Sequence, residues 1–204
     1  MKAIMISDHA KWCALMMNGD KTIEVRKENV GKAVQKLIDE NGYADIYVYC
    51  TKGKDLMFHN GDQYMVAYGT IKEKRNHKYN GKVIFKFRCY KVEEIKFVGY
   101  GYHPSETPQN RMAEKSCIYG FNELDKYLKG KTGCAIHISD LEIFDKPKEL
   151  SEFYKVGYIE ALENSLKAKP FPISPQFIQN QYLLRKAPQS FCYVEVEQNE
   201  KLSS

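Results

Sequence analysis

Three charged side chains lie close together near the start of the chain, and their types suit a small polar ligand. Lys21, Glu24 and Arg26 follow Gly19, a residue that suits the left-handed turn ending a short helix. Side chains alternate across a β-strand, so Thr22, Glu24 and Arg26 share one face of a strand. A carboxylate acceptor, a guanidinium with five donors and a mobile ammonium match a phosphate, a nucleobase edge or an amide. We therefore predict that Lys21, Thr22, Glu24 and Arg26 bind a ligand.

The same residues also allow a simpler interpretation. Charges at this spacing are typical of the solvent-facing side of an outer strand, where an ion pair contributes only about 0–1 kcal/mol. Such a face needs no ligand. From residue types and spacing alone, this second interpretation is favoured.

A wider pattern of residues favours the ligand-binding interpretation instead. The spacing Gly-x-Lys-x-x-Glu-x-Arg (Gly19, Lys21, Glu24 and Arg26), placed after a strand and a short helix, resembles the signature of the ASCH (activating-signal-cointegrator homology) domain. The resemblance extends over most of the chain and is to the larger, phage- and prophage-type members. Its further blocks are residues 47–52, 81–89, 136–141 with 145–150, and 187–191.

The resemblance implies a PUA-like fold, so we predict an α+β protein: a mixed β-barrel with several added helices. One domain spans residues 1–197, with helical insertions at about 105–130 and 147–186 and a polar tail at 198–204. PUA-like folds are used for RNA, so the implied function is binding of single-stranded RNA or a nucleotide in a pocket at the barrel mouth. Glu24 would accept from a base amino group, while Arg26 and Lys21 take oxygen or phosphate.

Two other functions stay open. Small bacterial ASCH members hydrolyse N4-acetylcytidine, and the resemblance implies a lysine that matches Lys21 and a threonine nucleophile at the position of Glu24. Glu24 has no hydroxyl, so the same covalent mechanism is not expected. The enzyme hypothesis is therefore hydrolysis of a modified nucleoside or of RNA, with Lys21 and Glu24 as the acid/base pair. The third hypothesis is a phage or host regulator that uses the barrel to bind a protein.

The formal charge of +5 is distributed unevenly. Residues 72–91 hold eight basic side chains and one acid, which favours contact with a polyanion. We expect a phosphate-contacting surface formed by Lys74, Arg75, Lys78, Lys86 and Arg88.

Composition excludes several classes. No apolar run approaches the roughly 20 residues of a membrane span, and the first residues lack a secretory signal, so we expect a cytoplasmic protein. The six cysteines are scattered without a Cys-x-x-Cys pair, which indicates reduced thiols and no metal site. No cofactor is implied, and the oligomeric state is left open.

Periodicity predicts the remaining elements. Residues 28–42 have the spacing of an amphipathic helix, and residues 134–143 alternate as one strand. Ser7 or Asp8 is expected to cap the first helix, Pro147 to begin a short helix, and residues 99–104 to be irregular. His9 and the strand end at Thr51 could lie near the barrel mouth, but neither carries a partnered motif, so a structural or surface role is favoured for both. Ser190 has no nucleophile elbow around it and is interpreted as structural.

Overall fold

The protein is a mixed α+β structure in which the strands form separate sheets. A computed structural model describes residues 2–68, 78–99, 101–119, 121–167 and 173–196. The strands in these ranges are β1 (Lys2–Asp8), β2 (Ile23–Lys27), β3 (Ala44–Cys50), β4 (Asp55–His59), β5 (Tyr64–Tyr68), β6 (Lys82–Cys89), β7 (Val92–Val98), β8 (Gly101–Pro104), β9 (Gly133–His137), β10 (Ser139–Lys148), β11 (Tyr154–Lys155) and β12 (Phe191–Glu195).

The six-stranded sheet has the order β10-β6-β3-β1-β12-β11. β1 runs parallel to β3 and antiparallel to β12, with Ile4 opposite both Ile46 and Tyr193. A four-stranded sheet has the order β2-β9-β7-β8, and β4 and β5 form a hairpin. Among the described residues these sheets do not close into the barrel that the resemblance implies.

One reason for the open arrangement lies between β9 and β10. The alternating pattern of residues 134–143 predicts one strand, but the chain leaves the ladder at Ile138 and Asp140 takes a left-handed backbone (φ 46°). β9 therefore pairs with β2 and β7, whereas β10 pairs with β6 in the larger sheet. The prediction of a single strand was wrong. Polar and apolar residues continue to alternate across the break at Ile138, so the pattern does not reveal it.

The described helices agree with the predicted positions. They are α1 (Ala10–Met17), α2 (Glu28–Asn41), α3 (Gln109–Ser116), α4 (Phe121–Leu128), α5 (Tyr158–Lys167) and α6 (Pro175–Tyr182). α2 ends at Gly42, whose φ of 82° supplies the left-handed residue that the sequence indicates. α3 and α4 lie in the first predicted insertion, and α5 and α6 in the second.

Three local predictions were wrong. α1 begins after His9 without a side-chain cap, because the Ser7 hydroxyl donates to the Pro188 carbonyl and Asp8 contacts Arg26. Pro147 lies inside β10, and the 3-10 turn begins only at Leu150. The residues expected to be irregular include β8, which pairs with β7 as a hairpin.

The largest apolar core lies between the six-stranded sheet and helices α1 and α2. Ile4, Ile46 and Phe85 from the sheet are fully buried there, as are Val30 and Val34 from α2. Burying one such side chain contributes about 1.5–3 kcal/mol relative to leaving it exposed. This core fixes α1 and the ends of β1 and β3, which lie beside the charged motif.

Some predictions fall outside the described residues. Lys74 and Arg75 lie in the undescribed range 69–77, and the polar tail at 198–204 lies beyond the last described residue. Within the described part of the chain, no helix has the length and apolar composition needed to cross a membrane.

Candidate functional site

The charged motif lies at a cavity between the two larger sheets. After α1, Asn18 and Gly19 (φ 81°) reverse the chain, and the Lys21 amide donates to the Leu15 carbonyl. This turn brings β2 to the end of β1. The cavity, which we call the main cavity, has a volume of about 500 Å³, and its walls are formed by Ser7, Asp8, His9, Trp12, Lys21, Glu24, Val25, Arg26, Lys27, Thr51, Ile118, Glu123, Tyr127, Pro188, Gln189 and Ser190.

Lys21 is held in place by three different groups. Its ammonium donates to the Ser116 carbonyl at 2.7 Å, lies 3.2 Å from Glu24 Oε2, and lies 5.0 Å from the centre of the Trp12 ring. Lys21 is buried. The prediction of a mobile ammonium at the mouth of the turn was therefore wrong, because the end of α3 supplies an acceptor that local sequence does not show.

Arg26 joins two carboxylates inside the protein. Its Nη2 donates to Asp8 Oδ2 at 3.0 Å and to the Ser7 carbonyl at 3.1 Å. Its Nε lies 2.6 Å from Glu24 Oε1, although this N–H is not directed at a hydrogen-bond acceptor. The side chains of Asp8, Glu24 and Arg26 are all less than a tenth exposed. The favoured interpretation of a solvated strand face was wrong, because β2 faces the end of β1 and not water.

The two carboxylates ionise differently although both contact Arg26. Burial, followed by the charge of Glu24, raises the pKa of Asp8 to about 7, and the attraction of Arg26 and Lys21 offsets this only in part. Burial alone would also raise the pKa of Glu24, but Lys21 and Arg26 outweigh burial and lower it below its usual range. Burial opposes the charge on Arg26, whereas Glu24 and Asp8 raise its pKa. Glu24 therefore stays ionised at neutral pH, while Asp8 exchanges a proton there.

Thr22 differs from the other predicted ligand-binding residues. It is exposed, precedes β2 and does not line the main cavity. Its backbone N–H donates to the carbonyl of Lys115 in α3, and its carbonyl accepts from the Ile138 N–H. The structure thus brings Lys21, Glu24 and Arg26 together and leaves Thr22 outside.

Sequence reasoning missed much of the cavity wall. Asp8 was interpreted as one of two possible helix caps and Ser190 as structural, and a structural or surface role was favoured for His9, yet all three line the cavity. Thr51 also lines it, and its Oγ1 lies 3.3 Å from His9 Nδ1. Tyr127 comes from α4, far along the chain from the motif. No local pattern could connect them, although an acidic residue at the end of the first predicted strand was a usable signal for Asp8.

The predicted phosphate-contacting surface is largely neutralised where it is described. Lys86 Nζ lies 3.0 Å from Glu142 Oε2, and Arg88 Nε lies 3.2 Å from Asp45 Oδ1. Lys78 lies over the Tyr79 ring. The partners of Lys86 and Arg88 come from neighbouring strands that a count of charges in one segment ignores. Among the described residues, no three His, Cys, Asp or Glu side chains gather in a way that could hold a metal ion.

Comparison of sequences found no matching family model and no matching curated protein. Comparison of structures found a crystal structure of ASCH from Zymomonas mobilis, 14% identical, with a TM-score of 0.44 over 97% of this chain and 89% of that chain. A crystal structure of a serine-to-alanine mutant of that protein is 12% identical, with a TM-score of 0.46 over 95% and 88%. These two neighbours are ASCH proteins.

A further neighbour is the N-terminal domain of Staphylothermus marinus McrB. It is 8% identical, with a TM-score of 0.39 over 86% of this chain and 90% of that chain. At such identities and scores we base function on the main cavity itself and not on these neighbours.

Proposed function

We propose that the protein binds RNA or a nucleotide by placing a nucleobase in the main cavity. The observation that carries this proposal is the buried network of Lys21, Glu24, Arg26 and Asp8 on the cavity wall. Its two cations already contact its two carboxylic acids. A charged ligand group could reach these cations only by displacing contacts that they already make away from water, which is costly. An uncharged polar group suits the cavity better.

A nucleobase is such a group. Carboxylate oxygens of Asp8 and Glu24 can accept from a base amino or imino group, and the guanidinium of Arg26 can donate to a base carbonyl. Trp12 and Tyr127 line the same cavity, and aromatic side chains stabilise bases by stacking, by about 1–3 kcal/mol each. We also propose that the open sheets are a variant of the PUA-like barrel with this cavity at its mouth.

Binding of short labelled single-stranded RNA, single-stranded DNA and a nucleotide, followed by fluorescence anisotropy, tests the proposal. Glu24→Gln keeps the shape of the side chain and removes its charge, so we expect affinity to fall by at least about tenfold, as for loss of a charge-assisted hydrogen bond. Tyr127→Ala removes a partly exposed wall residue without touching the carboxylates, and we expect a similar loss.

The matched control is Glu40→Gln, which makes the same chemical change at an exposed position of α2. It should bind like the wild type. Absence of wild-type binding to every one of these ligands would refute the proposal and favour the regulator that binds a protein. Thermal unfolding of each variant separates loss of binding from loss of folding.

A second candidate, hydrolysis of a modified nucleoside or of RNA, is favoured by the divergent pKa values of the two carboxyls. An acid and a base with separated pKa values are typical of acid/base catalysis. Sequence reasoning assigns this role to Lys21 and Glu24, but the lowered pKa of Glu24 makes it a weak proton acceptor at neutral pH. Asp8, with a pKa of about 7, fits the role better. Release of acetate from N4-acetylcytidine, measured against pH, tests this candidate.

A further inference from the structure

A second cavity adjoins the main cavity and differs from it in charge. It has a volume of about 350 Å³, and we call it the lysine cleft after Lys27, Lys129 and Lys131, which line it together with Glu28, Asn29 and Tyr127. Lys27 and Tyr127 also line the main cavity. A ligand that extends from one cavity therefore passes into the other across these two side chains.

Strand pairing explains why the three lysines meet. Lys27 is the last residue of β2, directly after the charged motif, and it lies opposite Gly133 at the start of β9. The chain reaches β9 from α4 through Lys129 (φ 55°) and Gly130 (φ 71°), which reverse its direction. This turn places Lys129 and Lys131 beside the end of β2.

The cationic charge of the cleft is not neutralised. Across the described ranges of the chain, Lys27, Lys129 and Lys131 have no carboxylate within 4.0 Å, and Lys27 lies over the Tyr127 ring at 5.8 Å. The single acid of the cleft, Glu28, pairs with Lys32 at 2.5 Å on the surface of α2. By contrast, Lys86 and Arg88 of the expected phosphate-contacting surface both have acidic partners.

The two cavities are thus suited to two parts of one ligand. Lys21 and Arg26 in the main cavity are already bound to Glu24, Asp8 and the Ser116 carbonyl, so they cannot neutralise a phosphate without losing those contacts. The lysines of the cleft can do so, since an ammonium binds phosphate oxygens as a compact charge.

We propose that the lysine cleft binds the phosphate of a nucleotide whose base lies in the main cavity. This inference rests on the proposed function and makes it more specific: the ligand is a phosphorylated nucleotide unit, free or within a single strand, and not a neutral nucleoside.

The test uses the full-length protein and the double variant Lys129→Gln/Lys131→Gln, which keeps side chains of similar length and removes two charges. The probe is a short labelled single-stranded RNA, measured by anisotropy at several salt concentrations. We expect the variant to bind roughly twentyfold more weakly at about 0.1 M salt. Its log–log salt slope should be less negative by about 0.7, the value for one lost phosphate contact on a single strand.

The control variant is Lys86→Gln/Arg88→Gln, which removes two charges from the surface where both are ion-paired. We expect its affinity and salt slope to stay close to those of the wild type. If this variant loses affinity and the cleft variant does not, the phosphate lies on β6 and the inference is wrong.

Competition by small ligands identifies the source of the phosphate. A nucleoside should compete much more weakly than its 5′- or 3′-monophosphate, and that difference should become much smaller in the cleft variant, which keeps only Lys27 of the three lysines. Preference for one monophosphate identifies a free terminal phosphate, and equal weak competition by both identifies the internucleotide phosphate of a strand. If nucleoside and nucleotides compete equally against the wild type, the inference fails while base binding stands. Absence of RNA and nucleotide binding by the wild type refutes the proposed function itself.

Discussion

Asp8 and Glu24 contact the same guanidinium, yet only one of them titrates near neutral pH. Glu24 lies between two cations, whereas Asp8 contacts one cation and also senses the negative charge of Glu24. The Cys13 thiol and the Tyr127 hydroxyl are also near the Asp8 carboxyl, and burial raises the pKa of the thiol and of the hydroxyl. The surroundings of Asp8 thus favour its neutral form.

This difference predicts how stability depends on pH. The folded-state pKa of Asp8, about 7, lies above the ordinary value of 3.8, so the folded protein holds this proton more tightly than the unfolded chain does. The resulting stabilisation is complete below the ordinary value and is lost as pH rises through 7. We expect the free energy of unfolding to fall by on the order of 2 kcal/mol between about pH 5 and pH 8, measured by urea denaturation. In Asp8→Asn this fall should disappear.

Asp39→Asn is the matched control, because Asp39 is an exposed carboxylate on α2 that accepts from Gln35. It should keep the wild-type pH dependence. Glu93 does not interfere: burial would raise its pKa, but Thr107, His137 and Lys91 lower it to about 2, so its contribution changes only below this pH range. An unchanged pH dependence in Asp8→Asn would show that the buried carboxyl is ionised throughout.

The alternating pattern of β2 predicts correctly that Glu24 and Arg26 share a face. It cannot show that the face is buried, because the residues that cover it are Asp8 from β1 and Tyr127 from α4. Burial is what converts weak surface ion pairs into a network with shifted pKa values. This property of the site depends on tertiary contacts and is absent from local sequence.

Among the secondary structure elements, α2 and β9 approach each other unusually closely. A Cβ built on Gly31 of α2 would lie 2.6 Å from Cys134 Cβ and 2.7 Å from its Sγ. Cys134 lies opposite Arg26 in the β2–β9 ladder. The absence of a side chain at Gly31 therefore lets α2 pack behind the strand pair that carries the motif.

Gly31→Ala tests this packing. In an unconstrained helix the change would stabilise by about 0.8–1 kcal/mol, but here the added methyl must displace Cys134. We expect a net loss of about 1–3 kcal/mol in the free energy of unfolding, as for overpacked cores. Gly101→Ala is the control, since its Cβ would meet only ordinary contacts at 3.6 Å or more, and its effect should stay within about 0.5 kcal/mol. A stabilising effect of Gly31→Ala would contradict the close packing.

The elements differ in how far the sequence predicts them. α2 and β12 follow from strong periodicity and from turn residues that allow one local conformation, such as Gly42. β8 was missed because Gly99 and Gly101 look like a break, whereas β7 and β8 pair directly, with Val98 opposite Gly101. Which strands share a sheet depends on pairings between distant parts of the chain, such as Lys2 with Glu195, and no local pattern contains them.

On the scale of the whole molecule, the C-terminal segment is joined to the N-terminal strand by a second apolar cluster. Phe153 is fully buried there with Ala3, Met5 and Val194, and its ring packs edge-on against Tyr47 at 5.1 Å. The opposite ends of the chain thus stabilise one sheet.

Phe153→Ala tests whether that sheet unfolds as one unit. The Phe153 ring fills this site, so its removal leaves a cavity. We therefore expect the free energy of unfolding to fall by about 3–5 kcal/mol. Trp12 is the single tryptophan and packs against the largest core, so its fluorescence reports on that core. If the sheet unfolds as one unit, the urea transitions followed by Trp12 fluorescence and by far-UV circular dichroism should shift together to lower urea concentration. Phe177→Ala, the same change at an exposed position, should cost about 0.5 kcal/mol or less. If the urea midpoint of the Trp12 fluorescence transition is unchanged, the C-terminal segment is a separate folding unit.

The contact between Lys21 and the carbonyl of Ser116 has a consequence for how such a protein can diversify. Every amino acid has a backbone carbonyl, so this contact survives replacement of the residue at position 116. The segment from α3 to the start of β9 also supplies Tyr127, Lys129 and Lys131, whereas both carboxylates and Arg26 come from β1 and β2. Related chains can therefore vary the side chains of this segment to select a new ligand and keep the ionic centre, as long as its backbone still supplies the carbonyl and a large side chain still covers the charged face, and the same variation offers a route to engineered binding proteins.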